Sequence, residues 1–129
     1  MFQQFQFRHI PALIAGSTMA FGGLWPMFNA RAAMLEFGLP PRVANTPAAA
    51  PVMIVGNVRT TIIGTLILLF YFRQQLDVVD TFLAVTGAYA GLVDSYVVWK
   101  EGSPSKATFR LISSWLIAAW GIFGMTAGR

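Results

Sequence analysis

Residues 51–72 read PVMIVGNVRTTIIGTLILLFYF, an apolar run long enough to cross a bilayer with Arg59 standing inside it. A hydrocarbon core of ~30 Å takes ~20 such residues per helix. Three further segments of the same kind follow from the sequence, at 10–28, 78–99 and 108–127. The third of the four segments carries Asp94, a full charge of opposite sign. An ionisable group within a membrane helix costs at least ~2.5–3.5 kcal/mol and is found facing a bundle interior, a partner charge or a watery cavity. Arg59 and Asp94 are therefore where function is to be sought. The expected architecture is all-α: residues 1–129 form one membrane domain, a four-helix transmembrane bundle whose short connections make neighbouring helices antiparallel.

Composition supports this reading and removes several classes. The chain has 129 residues, 56% hydrophobic and 11% charged, with a mean hydropathy of +0.61. That is too apolar for an ordinary soluble domain and leaves no length for a second one. With no cysteine, disulfides, thiolate nucleophiles and cysteine metal sites are excluded. A lone histidine, His9, argues against a histidine-rich metal centre. Net charge is +4, but the nine Lys and Arg are scattered without a basic block, so nucleic acid is not an expected partner.

The connections are legible from their breakers. Residues 29–50 hold Gly38, Pro40, Pro41 and Pro47, which predicts an irregular or re-entrant excursion at the interface. Residues 73–77 predict a tight turn, and Glu101-Gly102-Ser103-Pro104 a loop. The first segment has a second reading as a cleaved signal peptide, with Arg8 as its basic flank, but Ala30-Arg31-Ala32 is a poor cleavage context and the run is long. Arg31, Arg42, Lys100, Lys106 and Arg110 on one side outnumber Arg8, Arg73 and Arg129 on the other. The positive-inside rule then places both termini away from the cytosol. An integral, multi-pass protein is expected, in the endoplasmic reticulum if the cell is eukaryotic. Trp25, Trp99 and Trp115 fall near predicted helix ends, as interfacial anchors do.

At a rise of 1.5 Å per residue, Arg59 lies roughly 12 Å from the start of its helix and Asp94 roughly 8 Å from the end of its own, both measured from one membrane face. Asp77, Asp80, Ala84, Gly87, Gly91 and Asp94 recur at three- and four-residue steps. Gly56, Thr60 and Gly64 form a small-residue track on the second segment, and Arg110, Ser114, Ile117, Gly121 and Gly124 a third stripe on the last. Together they predict a polar seam down the bundle. Glycine tracks also serve simply as packing devices, and those on the first and last helices suit a homodimer. Asp77 and Asp80 fit a solvated helix start, and His9 an interfacial position.

These residue types suit acid–base chemistry. A carboxylate beside a guanidinium orients water as general base, a second acid protonates a leaving oxygen, and an arginine stabilises the developing oxyanion. Asp94 is the expected base, Arg59 the electrostatic clamp and Glu36 or Tyr89 the acid, with Asn57, Tyr96 and Arg110 lining the polar end and binding substrate. A seam opening within lipid calls for a lipophilic, oxygenated small molecule. Opening of an epoxide, by water or by an internal hydroxyl, needs such a set and no metal or organic cofactor, and the same residues suit isomerisation or cyclisation of a polyene or terpenoid. Two other readings compete. In one the protein is a scaffold whose ion pair only fixes helix register. In the other it is a small binding or transport protein, though the first segment lacks the membrane acid that small four-helix exporters use.

Three motifs carry a family likeness: Phe37-Gly38-Leu39-Pro40, Gly56-Asn57-Val58-Arg59 and Asp94. In these the chain resembles a little-characterised family of small four-helix membrane proteins from fungi and bacteria, a domain of unknown function. The family pattern places an acid after the arginine, where this chain has Thr60, and a histidine near the start of the last helix, where the nearest polar residue is Arg110. The resemblance implies a membrane bundle with Arg59 and Asp94 as motif residues, and an association with polyketide or terpenoid pathways that include epoxide-opening and cyclising steps.

Overall fold

The structure, a computed structural model, describes residues 5–101 and 104–128, and all regular secondary structure among them is helical. A 3-10 turn at Phe7–His9 leads into α1 (Ile10–Gly22). The expected single helix over 10–28 is broken. Gly22 and Gly23 end α1, and α2 (Trp25–Phe37) departs at 103° to it. Pro26, in the first turn of α2, has no amide to donate and its ring clashes with a straight continuation. The connection over 29–50 is likewise more ordered than its prolines suggested. Asn29 kinks α2 (φ −153°, ψ 85°) and restarts it by accepting the Ala32 amide at 3.0 Å.

The Phe37-Gly38-Leu39-Pro40 motif has a local explanation. Gly38 sits at φ 114°, Leu39 N–H donates to the Met34 carbonyl at 3.0 Å, and Pro40 then turns the backbone extended before the short α3 (Pro41–Ala44). This is a left-handed glycine cap that stops α2. A Cβ on Gly38 would also stand 2.6 Å from Val98 Cγ1, so the cap is pressed against the end of the third apolar segment.

Two long rods follow. α4 (Ala49–Phe72) runs 24 residues; a turn containing Gln74 at φ 60° leads to α5 (Leu76–Val85), a π segment (Thr86–Ala90) and α6 (Gly91–Glu101), which together make one rod of 26 residues. Both rods are long and apolar enough to cross a membrane, and the bent pair of α1 with its preceding turn and α2 makes a third if counted as one broken span. α7 (Pro104–Ile122) takes the place of the fourth expected segment, starting and ending a few residues earlier than 108–127. The predicted loop at Gly102-Ser103 and the charge at Arg129 lie outside the described residues.

The glycine tracks are packing seams. α1 crosses α4 at Gly64, where a Cβ would collide with the Ala20 amide and stand 2.7 Å from the Gly16 carbonyl oxygen. α7 packs on the α5–α6 rod through Gly87, 2.5 Å from Ser114 O by the same measure, and through Gly121, 2.6 Å from Ala84 N. Backbones this close are what small residues permit. Gly16 and Gly121 both stand at these intrachain contacts. Leu83, Gly87, Gly91 and Ser95 are all buried, although each four-residue step overshoots an ideal α-helical turn by about 40°. The wider π segment in their midst absorbs that drift. A continuous core of Ala12, Ala15, Ile67, Tyr71, Val79 and Leu83 fills one end of the molecule. At the other end, α2 and α3 lean on the first half of α4 and leave a space.

Candidate functional site

That space is a cavity of about 440 Å3, within the range of small-molecule sites (about 300–1,000 Å3). Its apolar wall comes from Met34 and Phe37 of α2, Leu39 after the glycine cap, Val43 of α3, and Val52 and Met53 of α4. Its polar wall is Gly56, Asn57 and Thr60 of α4 with Asp94 of α6. Helical spacing explains the α4 set, since residues at three- and four-residue steps share a face. Asp94 precedes the buried Ser95 by about 100° of turn, which carries it off the α7 seam to the flank that looks towards α4.

Asp94 is half-buried, and neither of its oxygens accepts a hydrogen bond from the described residues. Arg110 of α7 is the cation whose charge reaches it, and the two do not close to ion-pair distance. Arg110 is held instead by α2: its Nε donates to the Phe37 carbonyl at 2.8 Å and its guanidinium lies 3.7 Å from the centre of the Phe37 ring. Arg110 thus fixes a cavity-wall residue and lends positive potential to Asp94 from behind. Asn57 donates one amide hydrogen to the Met53 carbonyl at 3.0 Å. Its other amide hydrogen and its oxygen remain for a ligand. Thr60 offers a hydroxyl to the same wall.

Several expectations require correction. Arg59 and Asp94 do not pair. Arg59 is on the exposed side of α4, where its guanidinium donates to the Val55 carbonyl of its own helix at 3.0 Å, so neither an electrostatic clamp on Asp94 nor a register-fixing pair between them exists. Glu36 is exposed and lies 3.6 Å from Lys106 Nζ, outside the cavity wall, which takes it away from the acid role. Tyr89 and Tyr96 are 74% and 63% exposed on the outer face and are not part of this cavity's wall. Among the described residues no continuous polar seam runs down the bundle, because Asp80, Ala84, Gly87 and Gly91 pack against α7 while Asp77 is exposed and Asp94 turns to the cavity. Trp25 and Trp99 do sit near helix ends, whereas Trp115 lies mid-helix on α7.

A second polar cluster lies at the far end, where neither His9 nor Asp80 has the solvated position expected of it. Asp80 is fully buried, its two oxygens accepting the amides of Thr126 at 3.1 Å and Ala127 at 2.9 Å. His9, also buried, places Nδ1 2.9 Å from the Tyr71 hydroxyl. Arg8 donates to the Thr126 carbonyl, and Trp120 Nε1 to the Arg8 carbonyl. This cluster ties both ends of the described chain to the bundle. Its acid belongs to the stripe already legible in the sequence, while its amides come from a turn that no spacing rule reveals.

Residues 16–124 match the family described as Domain of unknown function (DUF4267). The chain belongs to that family. The match takes in the glycine-cap motif, the Gly56 to Arg59 motif, Asp94 and the whole cavity wall, as the likeness to a little-characterised family implied. No curated protein and no solved structure matches the chain.

Proposed function

We propose that the protein is a multi-pass membrane bundle of four helical units, with antiparallel neighbours, that binds a lipophilic, oxygenated small molecule in the Asp94 cavity and acts on it by acid–base chemistry. The four units are the bent α1–α2 pair, α4, the α5–α6 rod and α7. Large apolar side chains such as Phe21, Ile62, Val85, Leu92, Phe109 and Leu116 are turned outwards, as lipid contact requires. α7 is 19 residues long, about 28 Å at the α-helical rise, close to the thickness of the hydrocarbon core.

The observation that carries the reading is a half-buried carboxylate on the wall of an apolar cavity with no hydrogen bond from the described residues to either oxygen. Asp94 is therefore available to take a proton from a bound group, beside the Asn57 amide and the Thr60 hydroxyl. Epoxide opening is the reaction these groups suit best. Asp94 accepts a proton from water, or from a hydroxyl of the substrate, as that oxygen bonds to a ring carbon. The ring C–O bond breaks, Thr60 and Asn57 donate to the developing oxyanion, and the alkoxide recovers the proton held by Asp94. One carboxyl serves both halves of the step, so the reading no longer needs Glu36, Tyr89 or Arg59 at the reacting atoms.

The test is product formation by membranes carrying wild type or Asp94→Asn, supplied with lipophilic epoxides, with size-exclusion profiles of the extracted proteins as the folding control. Diol or cyclised product from wild type alone, with matching profiles, supports the proposal. Equal turnover by Asp94→Asn removes Asp94 from the chemistry.

A further inference from the structure

We infer that Arg59 is the docking point for the anionic head of an amphiphilic ligand at the lateral mouth of the cavity, a carboxylate or phosphate carried on an apolar body. This inference rests on the cavity being the ligand site.

Arg59 belongs to the rim by helical geometry. At 100° per residue it lies about 20° round α4 from Val52 and about 60° from Gly56. Val52 and Gly56 both line the cavity, and both are exposed, Val52 by 72%. A side chain built on Gly56 meets nothing within 4 Å. The cavity therefore opens sideways along Val52 and Gly56, and Arg59 stands at the edge of that opening, about 15 Å along α4 from Ala49. A cation at this depth is costly without an anion, and only one of its five N–H donors is used, on the Val55 carbonyl.

Among the described residues no acid is offered to it. Of the five in the sequence, Glu36 pairs with Lys106 and Glu101 with Arg42. Asp80 holds the Thr126 and Ala127 amides, Asp94 lies on the inner wall of the cavity without closing on Arg59, and Asp77 is engaged at the far end of the bundle. The counter-ion for Arg59 comes from outside the protein. Asp94 on the inner wall repels an anion while Arg59 at the rim attracts one, so the pair orients the ligand with its charged head outwards and its neutral oxygenated part at Asp94. The separation of Arg59 from Asp94, fatal to the clamp, is what this role requires. A free lipophilic acid and the phosphate of a neighbouring phospholipid present the same chemistry.

The experiment uses the full chain in phosphatidylcholine nanodiscs and compares a dansyl-tagged undecanoic acid with its methyl ester by fluorescence titration. Wild type should bind the acid at least about tenfold more tightly than the ester, the scale of a hydrogen bond to a charged group. Arg59→Gln should bring the two to equality, and Arg59→Lys should keep part of the preference. Replacing phosphatidylcholine by phosphatidylglycerol separates the sources. Because an anionic bilayer repels the acid at any site, the readout is the difference in acid binding between wild type and Arg59→Gln: a difference that shrinks there shows that lipid phosphate takes the Arg59 site, and one that persists shows that the free acid does. Equal binding of acid and ester by wild type, absence of acid binding, or a preference that survives Arg59→Gln overturns the inference. Gly56→Phe, which fills the mouth, should remove both probes. Their persistence in that variant refutes the cavity reading itself, separately from the Arg59 contrast.

Discussion

Asp80→Ala should loosen the end of the molecule furthest from the cavity. The wild-type carboxylate is fully buried and accepts two backbone amides, Thr126 at 3.1 Å and Ala127 at 2.9 Å. Alanine leaves both donors without a partner, at about 1–3 kcal/mol each, or about 2–6 kcal/mol if the turn stays in place. Peeling of the turn after α7 limits the loss, because the amides then find water. The expected result is the low end of that range, about 2–3 kcal/mol, with Asp80→Asn costing roughly half because its remaining oxygen still accepts one amide. Reversible unfolding in mixed micelles with added dodecyl sulfate gives the free energies, and hydrogen exchange of the C-terminal peptide gives the local opening. An Asp80→Ala protein within about 0.5 kcal/mol of wild type, the scale of an ordinary surface change, with exchange at Thr126 and Ala127 unaltered, would refute the latch.

Other expectations follow from the same geometry. Gly56→Ala and Gly64→Ala should have opposite signs in the same unfolding assay. The first gains about 0.5–1 kcal/mol from helix propensity in open space, and the second loses about 1–3 kcal/mol by overpacking α1 against α4. Gly38→Ala should cost at least about 1–2 kcal/mol from the left-handed backbone alone, since φ is 114° and Val98 blocks relaxation; a neutral result in thermal scans would deny the cap its role. Tyr89→Phe and Tyr96→Phe should leave product formation unchanged, because both hydroxyls lie outside the cavity, and a loss of turnover in either would reinstate it at the site.

Much of this architecture was legible in the sequence because hydrophobic length and small-residue spacing are local signals. The α4 and α5–α6 rods begin and end within a few residues of their apolar runs, and the glycine stripes mark real seams. The break at Gly22 and Gly23 was less visible, because Trp25, Met27 and Phe28 keep the run apolar while the backbone turns. The polar wall was partly legible. Asp94 and Asn57 line one cavity, and each stands out in the sequence as a charge or an amide inside an apolar segment. Arg59 and Tyr96 were misplaced because depth along a helix is readable and azimuth is not. Asp94 owes its azimuth to the π segment, which no residue pattern announced. Phe37 lines the cavity from α2 and is held there by Arg110, a pairing of residues far apart in the chain.

The central claim is that Asn57 and Asp94 face one ligand-accessible cavity that opens beside Gly56. The absence of native cysteine makes a direct measurement simple: single-cysteine variants treated with a lipophilic maleimide in intact membranes. Asn57→Cys should label readily, Ile67→Cys in the closed core should not, and adding Gly56→Phe should protect position 57. If Asn57→Cys proves as unreactive as Ile67→Cys, the cavity is closed in the membrane and the proposed site does not exist.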